Sequence, residues 1–143
     1  MTYIYEYPRP AVTVDALIFN RFNQHTYVLL IKRGHYPFEG MWALPGGFMD
    51  MDETLLQAAY RELEEETGLT EISLSQFYTF DAIGRDPRHR TISTIFVGKM
   101  SNPNASVIGS DDAVEAAWMD VEALPEMAFD HRIIIEMALN KGF

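Results

Sequence analysis

Hydrophobic and polar positions alternate near the start of the chain. Val12, Val14, Ala16 and Ile18 are interleaved with Thr13, Asp15 and Leu17. A period of two sends successive side chains to opposite faces, so this run predicts a β-strand. Asn20–Thr26 is polar and predicts a turn, and the apolar run Tyr27–Lys32 predicts a second strand. Pro37, Gly40, Pro45, Gly46 and Gly47 then punctuate a long loop. From Glu53 to Thr67 the period becomes helical, with Leu55, Leu56, Ala59 and Leu63 in one apolar stripe. Gly68 stands just past the end, where a left-handed residue commonly closes a helix. Ile72–Phe80, Thr91–Lys99 and a stretch around Ala116–Met119 predict further strands. Ile134, Met137 and Ala138 recur at helical spacing within His131–Lys141, a closing helix with Asp130 as its expected cap and Gly142 after it.

This order predicts an α/β fold with a mixed sheet sandwiched between helices. Strand order cannot be read from the pattern. No internal repeat or low-complexity linker interrupts it. A single domain over residues 1–143 is therefore expected, long enough to bury a core.

Composition narrows the function. Hydrophobic residues make up 48% of the chain, yet no apolar run approaches the ~20 residues of a membrane span. The N-terminal MTYIYEYPRP has no basic region followed by an apolar stretch, so no signal peptide is expected. There are no cysteines, which excludes disulfides and thiolate chemistry and fits a cytoplasmic protein. The net charge of −10 argues against broad nucleic-acid binding. An anionic small molecule remains compatible, admitted by divalent cations and a few local arginines.

The acidic helix carries the candidate chemistry. Residues turn by ~100° each, so Glu62, Glu65 and Glu66 share one face. Like charges at this spacing cost a few tenths of a kcal/mol per pair. A solvated acidic face is one reading, and a shared divalent cation is the other, since hard cations take several carboxylate oxygens. Arg61 stands four residues before Glu65 and is placed to steady it. Gly46 and Gly47 let the backbone approach a ligand and can aim a carbonyl at a metal.

Glycine turn, acidic helix and closing glycine together resemble the Nudix box of the Nudix hydrolase superfamily. That pattern is G, five residues, E, seven residues, R-E, an aliphatic, any residue, E-E, any residue, G, an aliphatic. Gly47, Glu53, Arg61, Glu62, Leu63, Glu65, Glu66, Gly68 and Leu69 fill every fixed place. The resemblance implies a Nudix-type α/β/α sandwich that cleaves a diphosphate joining a nucleoside to another moiety, by water attack assisted by Mg²⁺ or Mn²⁺. It implies Glu65 and Glu66 as metal ligands with help from the Gly46 carbonyl. Glu62 would bind a metal, or orient and deprotonate the water. Glu53 and Arg61 would brace the loop and helix, with Gly47 and Gly68 structural and Glu64 facing solvent. Many family members add an acid six residues before a strand tryptophan, which here is Asp112 before Trp118. Asp111, Asp112 and Glu115 also read as an ordinary acidic loop.

The box leaves the substrate open. Arg33, His35, Tyr36, Phe38 and Trp42 precede it, and Arg85, Arg88, His89 and Arg90 form the strongest basic cluster. Arginine forks suit phosphate oxygens, and Tyr36 or Phe38 can stack a base, although a charge-balancing loop and a packed aromatic remain alternatives. The stretches GMWALPGGF, GRDPR and LPEMAFDH, the last ending at His131, resemble the bacterial ADP-ribose pyrophosphatase branch. That implies hydrolysis of ADP-ribose to AMP and ribose 5-phosphate, with Arg33, Tyr36, Phe38, Arg85, Arg88 and His131 as expected substrate contacts. The same stretches occur in Nudix-related domains of NAD-metabolism repressors, which append a winged-helix DNA reader. No such segment is seen in these 143 residues, and the box carboxylates are all present. Two other readings stay open: a MutT-like pyrophosphohydrolase of modified nucleoside triphosphates of the 8-oxo-dGTP type, and a non-catalytic sensor of ADP-ribose-type ligands. A homodimer is also compatible, with the N-terminal YIYEY as an interface strand or an ordinary edge strand.

Overall fold

A computed structural model describes residues 2–110 and 112–143. In chain order its elements are β1 (Ala11–Phe22), β2 (His25–Arg33), β3 (Trp42–Ala43), β4 (Gly46–Phe48), α1 (Leu55–Thr67), β5 (Ser75–Phe80), β6 (Thr91–Met100), β7 (Ala113–Asp120) and α2 (His131–Asn140). The sheet is mixed, ordered β3-β2-β1-β6-β5, with β4 on β1 and β7 on β2. One helix covers each face. Val14, Ala16 and Ile18 pack with Ala58, Ala59 and Leu63 of α1. Leu17 and Phe19 pack with Ile134, Ile135 and Ala138 of α2. Burial on both faces explains why Leu17 is apolar in what the alternation treats as the polar register.

The central strand also creates the cavity. β1 runs parallel to β6 from Ala11 to Asn20, but pairs with β2 only from Phe19 to Phe22. Before Phe19 the two strands part. β4 takes the edge of β1 at Thr13–Asp15, and β3 takes the edge of β2 at Ile31–Lys32. The expected long loop therefore contains two short strands, wedged between β1 and β2.

Helix α1 begins at Leu55 rather than Glu53 because Thr54 caps it. Thr54 Oγ1 accepts from the Gln57 amide at 3.1 Å, and the Gln57 side chain accepts from the Thr54 amide at 2.8 Å. Its buried face runs through Ala58, Ala59, Leu63, Glu66 and Thr67, while Leu56 is 41% exposed. The apolar stripe is thus rotated from the expected one. Gly68 closes the helix at φ 77°, a left-handed angle that glycine adopts without strain, and its amide bonds to Glu64 O at 2.9 Å. β5 starts at Ser75, not Ile72, because the Leu74 amide donates to the Tyr60 hydroxyl instead of joining the ladder. Asp130 occupies the first position before α2 but makes no side-chain cap; its carboxylate binds Arg85. YIYEY forms neither of the expected strands, and Tyr3, Ile4 and Tyr7 are exposed.

Candidate active site

Arg61 organises the acidic helix. Its guanidinium donates to both Glu53 oxygens at 2.9 and 2.6 Å and to the Phe48 carbonyl at 3.0 Å. Its Nη1 reaches Glu62 Oε1 at 2.9 Å and Glu65 Oε2 at 3.2 Å. One cation thus ties the helix to the glycine turn and lies between two of the clustered carboxylates. The hydrogen bonds from Arg61, then the amide of Asp50, hold Glu53 down at about 2, and Glu53 in turn raises Arg61. Glu64 is exposed, as expected of the variable position.

Glu66 points the other way, under the turn. It is 4% exposed, and its Oε1 accepts from the Gly46 amide at 2.7 Å. Burial pushes its carboxyl up to about 8; the Gly46 bond works against this, while Glu62, Asp15 and Asp112 add to it. Both glycines are sterically required here. A Cβ on Gly46 would lie 2.2 Å from Val14 O and 2.4 Å from Asp15 Oδ1, and one on Gly47 would lie 2.7 Å from Glu62 Oε1. Glycine therefore lets β4 close against β1 on one side and against α1 on the other.

The segment before β7 completes this wall. The Ser110 hydroxyl donates to Glu65 O, and the Ser110 and Ile108 amides reach the Glu66 and Thr67 carbonyls at 3.3 and 3.1 Å. These bonds satisfy carbonyls that the helix end leaves open. They bring exposed Asp112 to the cavity that Glu62 and Glu66 line. Asp111 lies outside the described residues. Glu115 is exposed on β7, and Trp118 sits inside that strand with its indole N–H on Ala105 O at 3.1 Å.

The cavity measures about 290 Å³ and is lined by both carboxylates and arginines. Arg33, Arg61, Arg85 and Arg88 line the same cavity. Arg33 donates to Pro37 O at 2.6 Å and lies 5.0 Å from the centre of Phe129; burial and Arg88 lower its pKa. Arg88 forks onto Asp86 and lies over Phe48 and Phe129 at 5.4 and 5.9 Å. Burial raises the Asp86 carboxyl, but its bonds from Arg88 outweigh this and it ends below the usual range. The Arg85 side chain is 4% exposed and is gripped by both Asp130 oxygens at 2.9 and 2.7 Å. We expect Arg85→Gln to lower unfolding free energy by about 3 kcal/mol in urea melts, because it strands Asp130 beside the core.

Of the other expected contacts, His131 lines the cavity, whereas Tyr36 and Phe38 do not. Tyr36 is 71% exposed, and Phe38 packs edge-on against Phe129 at 4.8 Å. Trp42 packs on the α2 side of the core. His35 reaches the rim; Arg90 is exposed, and His89 leans on Phe48 at 5.7 Å. His131 is buried at the start of α2 and accepts from the Leu44 amide through Nδ1 at 2.9 Å. Asp15, Asp86 and Phe129 also line the cavity, and reading the sequence for sites passed over all three. The signals were an acid inside an apolar strand, an acid among arginines, and an aromatic beside His131.

The donor set suits a hard divalent cation. Glu62 and Glu66 are carboxylates facing one cavity with Asp112, and the crowding that raises Glu66 is relieved by positive charge. No three His, Asp or Glu side chains among the described residues are gathered closely enough to hold an ion as they stand. Arg61 holds Glu65 to one side.

The family model for the NUDIX domain matches residues 9–137. The chain belongs to the Nudix family. This Nudix chain is 41% identical over 130 residues to the ADP-ribose pyrophosphatase of Methanocaldococcus jannaschii, covering 91% of the chain and 73% of that relative. It is 34% identical over 140 residues to the ADPR responsive transcriptional repressor NtrR of Acinetobacter baylyi, covering 95% of the chain but only 56% of the repressor. Among solved structures, the NUDIX domain of Shewanella oneidensis NrtR complexed with ADP ribose superposes with a TM-score of 0.88 at 31% identity, covering 94% and 90% of the two chains. A bifunctional NMN adenylyltransferase/ADP ribose pyrophosphatase from Francisella tularensis, complexed with AMP and a Mn ion, gives 0.83 at 31%, covering 96% of this chain and 43% of that one. The Nudix fold and hydrolase class expected from the box are borne out. No helix among the described residues is long and apolar enough to cross a membrane.

Proposed function

We propose that this Nudix hydrolase cleaves the diphosphate of ADP-ribose to give AMP and ribose 5-phosphate. The observation that carries this reading is that one cavity is lined both by the carboxylates Glu62, Glu66 and Asp112 and by the guanidinium groups of Arg33 and Arg88. A diphosphate carrying two bulky groups needs both kinds of group: arginine forks for its oxygens and carboxylates for a cation. The 41% identity to an ADP-ribose pyrophosphatase supports the same substrate.

Glu62, Glu65, Glu66, Asp112 and the Gly46 carbonyl would hold Mg²⁺ or Mn²⁺. When bound, such an ion neutralises phosphate oxygens and acidifies water. Arg33 and Arg88 would orient the diphosphate within the same cavity. Glu62, beside Gly47, would accept a proton from the attacking water. Arg61 holds the helix and turn in register, and His131 fixes the floor through Leu44.

A sensor of ADP-ribose-type ligands is the second reading, favoured by the similarity to a repressor domain complexed with ADP ribose. A substrate panel in Mg²⁺ or Mn²⁺ tests both, scoring AMP from ADP-ribose and pyrophosphate from 8-oxo-dGTP. We expect AMP, with ADP-ribose turned over far faster. Faster release of pyrophosphate from 8-oxo-dGTP overturns the substrate assignment; tight ADP-ribose binding without product favours the sensor.

A further inference from the structure

The cavity floor contains a polar pair that binding a diphosphate does not require. Asp15 projects from the middle of β1 toward the α2 side, with its side chain 10% exposed. Ser93 on β6 donates to Asp15 Oδ2 at 2.6 Å. Asp15 Oδ1 lies against the Cα face of Gly46, where no side chain can follow. His131 faces it with its side chain 5% exposed and its Nε2 3.7 Å from Asp15 Oδ1. Because the Leu44 amide donates to Nδ1, the neutral ring must carry its proton on Nε2. Burial lowers the His131 pKa, which favours that neutral ring. The gap to Asp15 is too long for a hydrogen bond, and among the described residues no other group hydrogen-bonds to Nε2. Every fully enclosed side-chain nitrogen and oxygen among the described residues is satisfied, so this open N–H borders the cavity.

We propose that Asp15 and His131 form a subsite that recognises a sugar hydroxyl. A group seated between an N–H donor and a carboxylate acceptor must accept and donate at once. One oxygen can lie about 2.8 Å from both atoms across a gap of this size. A hydroxyl meets that demand. The oxygens of a diphosphate bridge have no proton to donate and are repelled by Asp15. The pair therefore sorts the two ends of the ligand: phosphates go to the arginines and a hydroxyl goes to the floor. This rests on the reading of the substrate as a nucleoside diphosphate joined to a sugar.

The test compares wild type with Asp15→Asn by calorimetry, using ribose 5-phosphate, AMP, inorganic pyrophosphate and Mn²⁺ as probes. A charge-assisted hydrogen bond is at stake, so D15N should weaken ribose 5-phosphate or AMP at least about tenfold. Pyrophosphate should bind equally or more tightly, because an anion has been removed, and Mn²⁺ affinity should not change. A uniform change across sugar phosphates and pyrophosphate, or none, overturns the subsite. So does a fall in Mn²⁺ affinity matching that of Glu66→Gln, which would make Asp15 a metal ligand. A wild-type comparison covers the case of a D15N protein that does not fold: ribose 5-phosphate must bind at least about tenfold tighter than inorganic phosphate, or the proposal is wrong. The two readings fail separately. Wild type that leaves ADP-ribose intact while D15N loses sugar phosphates ends the substrate assignment and keeps the subsite. Hydrolysis with unchanged D15N affinities does the reverse.

Discussion

Glu66→Gln is expected to reduce ADP-ribose turnover by about three orders of magnitude while leaving a folded, at least equally stable protein. Glutamine has the same shape and keeps an acceptor oxygen for the Gly46 amide, which Glu66 now engages at 2.7 Å. What it loses is charge. That charge is costly without a neighbouring cation, since burial, Glu62, Asp15 and Asp112 all push the Glu66 carboxyl toward protonation, to about 8. Removing it relieves the metal-free fold but takes away the anion a divalent cation would share. Melting curves should therefore rise with Mg²⁺ or Mn²⁺ in wild type and stay flat in the variant. Retention of more than a tenth of the wild-type rate would remove Glu66 from the chemistry.

The second large effect is on folding. Gly46→Ala should cost about 3 kcal/mol, equivalent to lowering Tm by about 10 °C. The new methyl would lie 2.2 Å from the Val14 carbonyl and 2.4 Å from Asp15 Oδ1. The first of these is backbone, locked between β6 and β4 in the middle of the sheet. It cannot swing aside as a side-chain tip would, so β4 must lift off β1. That movement would also pull the Gly46 amide from Glu66. A variant melting within about 2 °C of wild type would show that the turn is looser than these contacts require.

The acidic helix was legible because its information is local. Arg61, Glu62, Glu65 and Glu66 fall into place once a 3.6-residue period is recognised, and Gly68 marks where it stops. Legibility ended where partners come from distant segments. Asp15 sits at the alternate position of a strand, so its pattern is that of a surface residue. Only the arrival of Ser93 and His131 makes it a buried acid. Asp130 has the chemistry of a helix cap, yet a closer claim is made by Arg85, 45 residues earlier. The arginine cluster likewise reads as one unit, whereas folding turns Arg85 inward and Arg90 outward. The separation of β1 from β2 that opens the cavity depends on tertiary pairing and leaves no periodic trace.

That separation divides the pocket mechanically. Its floor belongs to β1, laced to β6 along ten consecutive residues and covered on both faces, whereas Arg33, Arg88 and Asp112 reach it from strand ends and connecting segments. Such a floor acts as a fixed gauge, whereas the charged rim is held by side-chain bonds such as those of Arg33 to Pro37 and Arg88 to Asp86. Sequence change at the rim can retune the leaving group that is tolerated, while the groups met at the bottom stay constant.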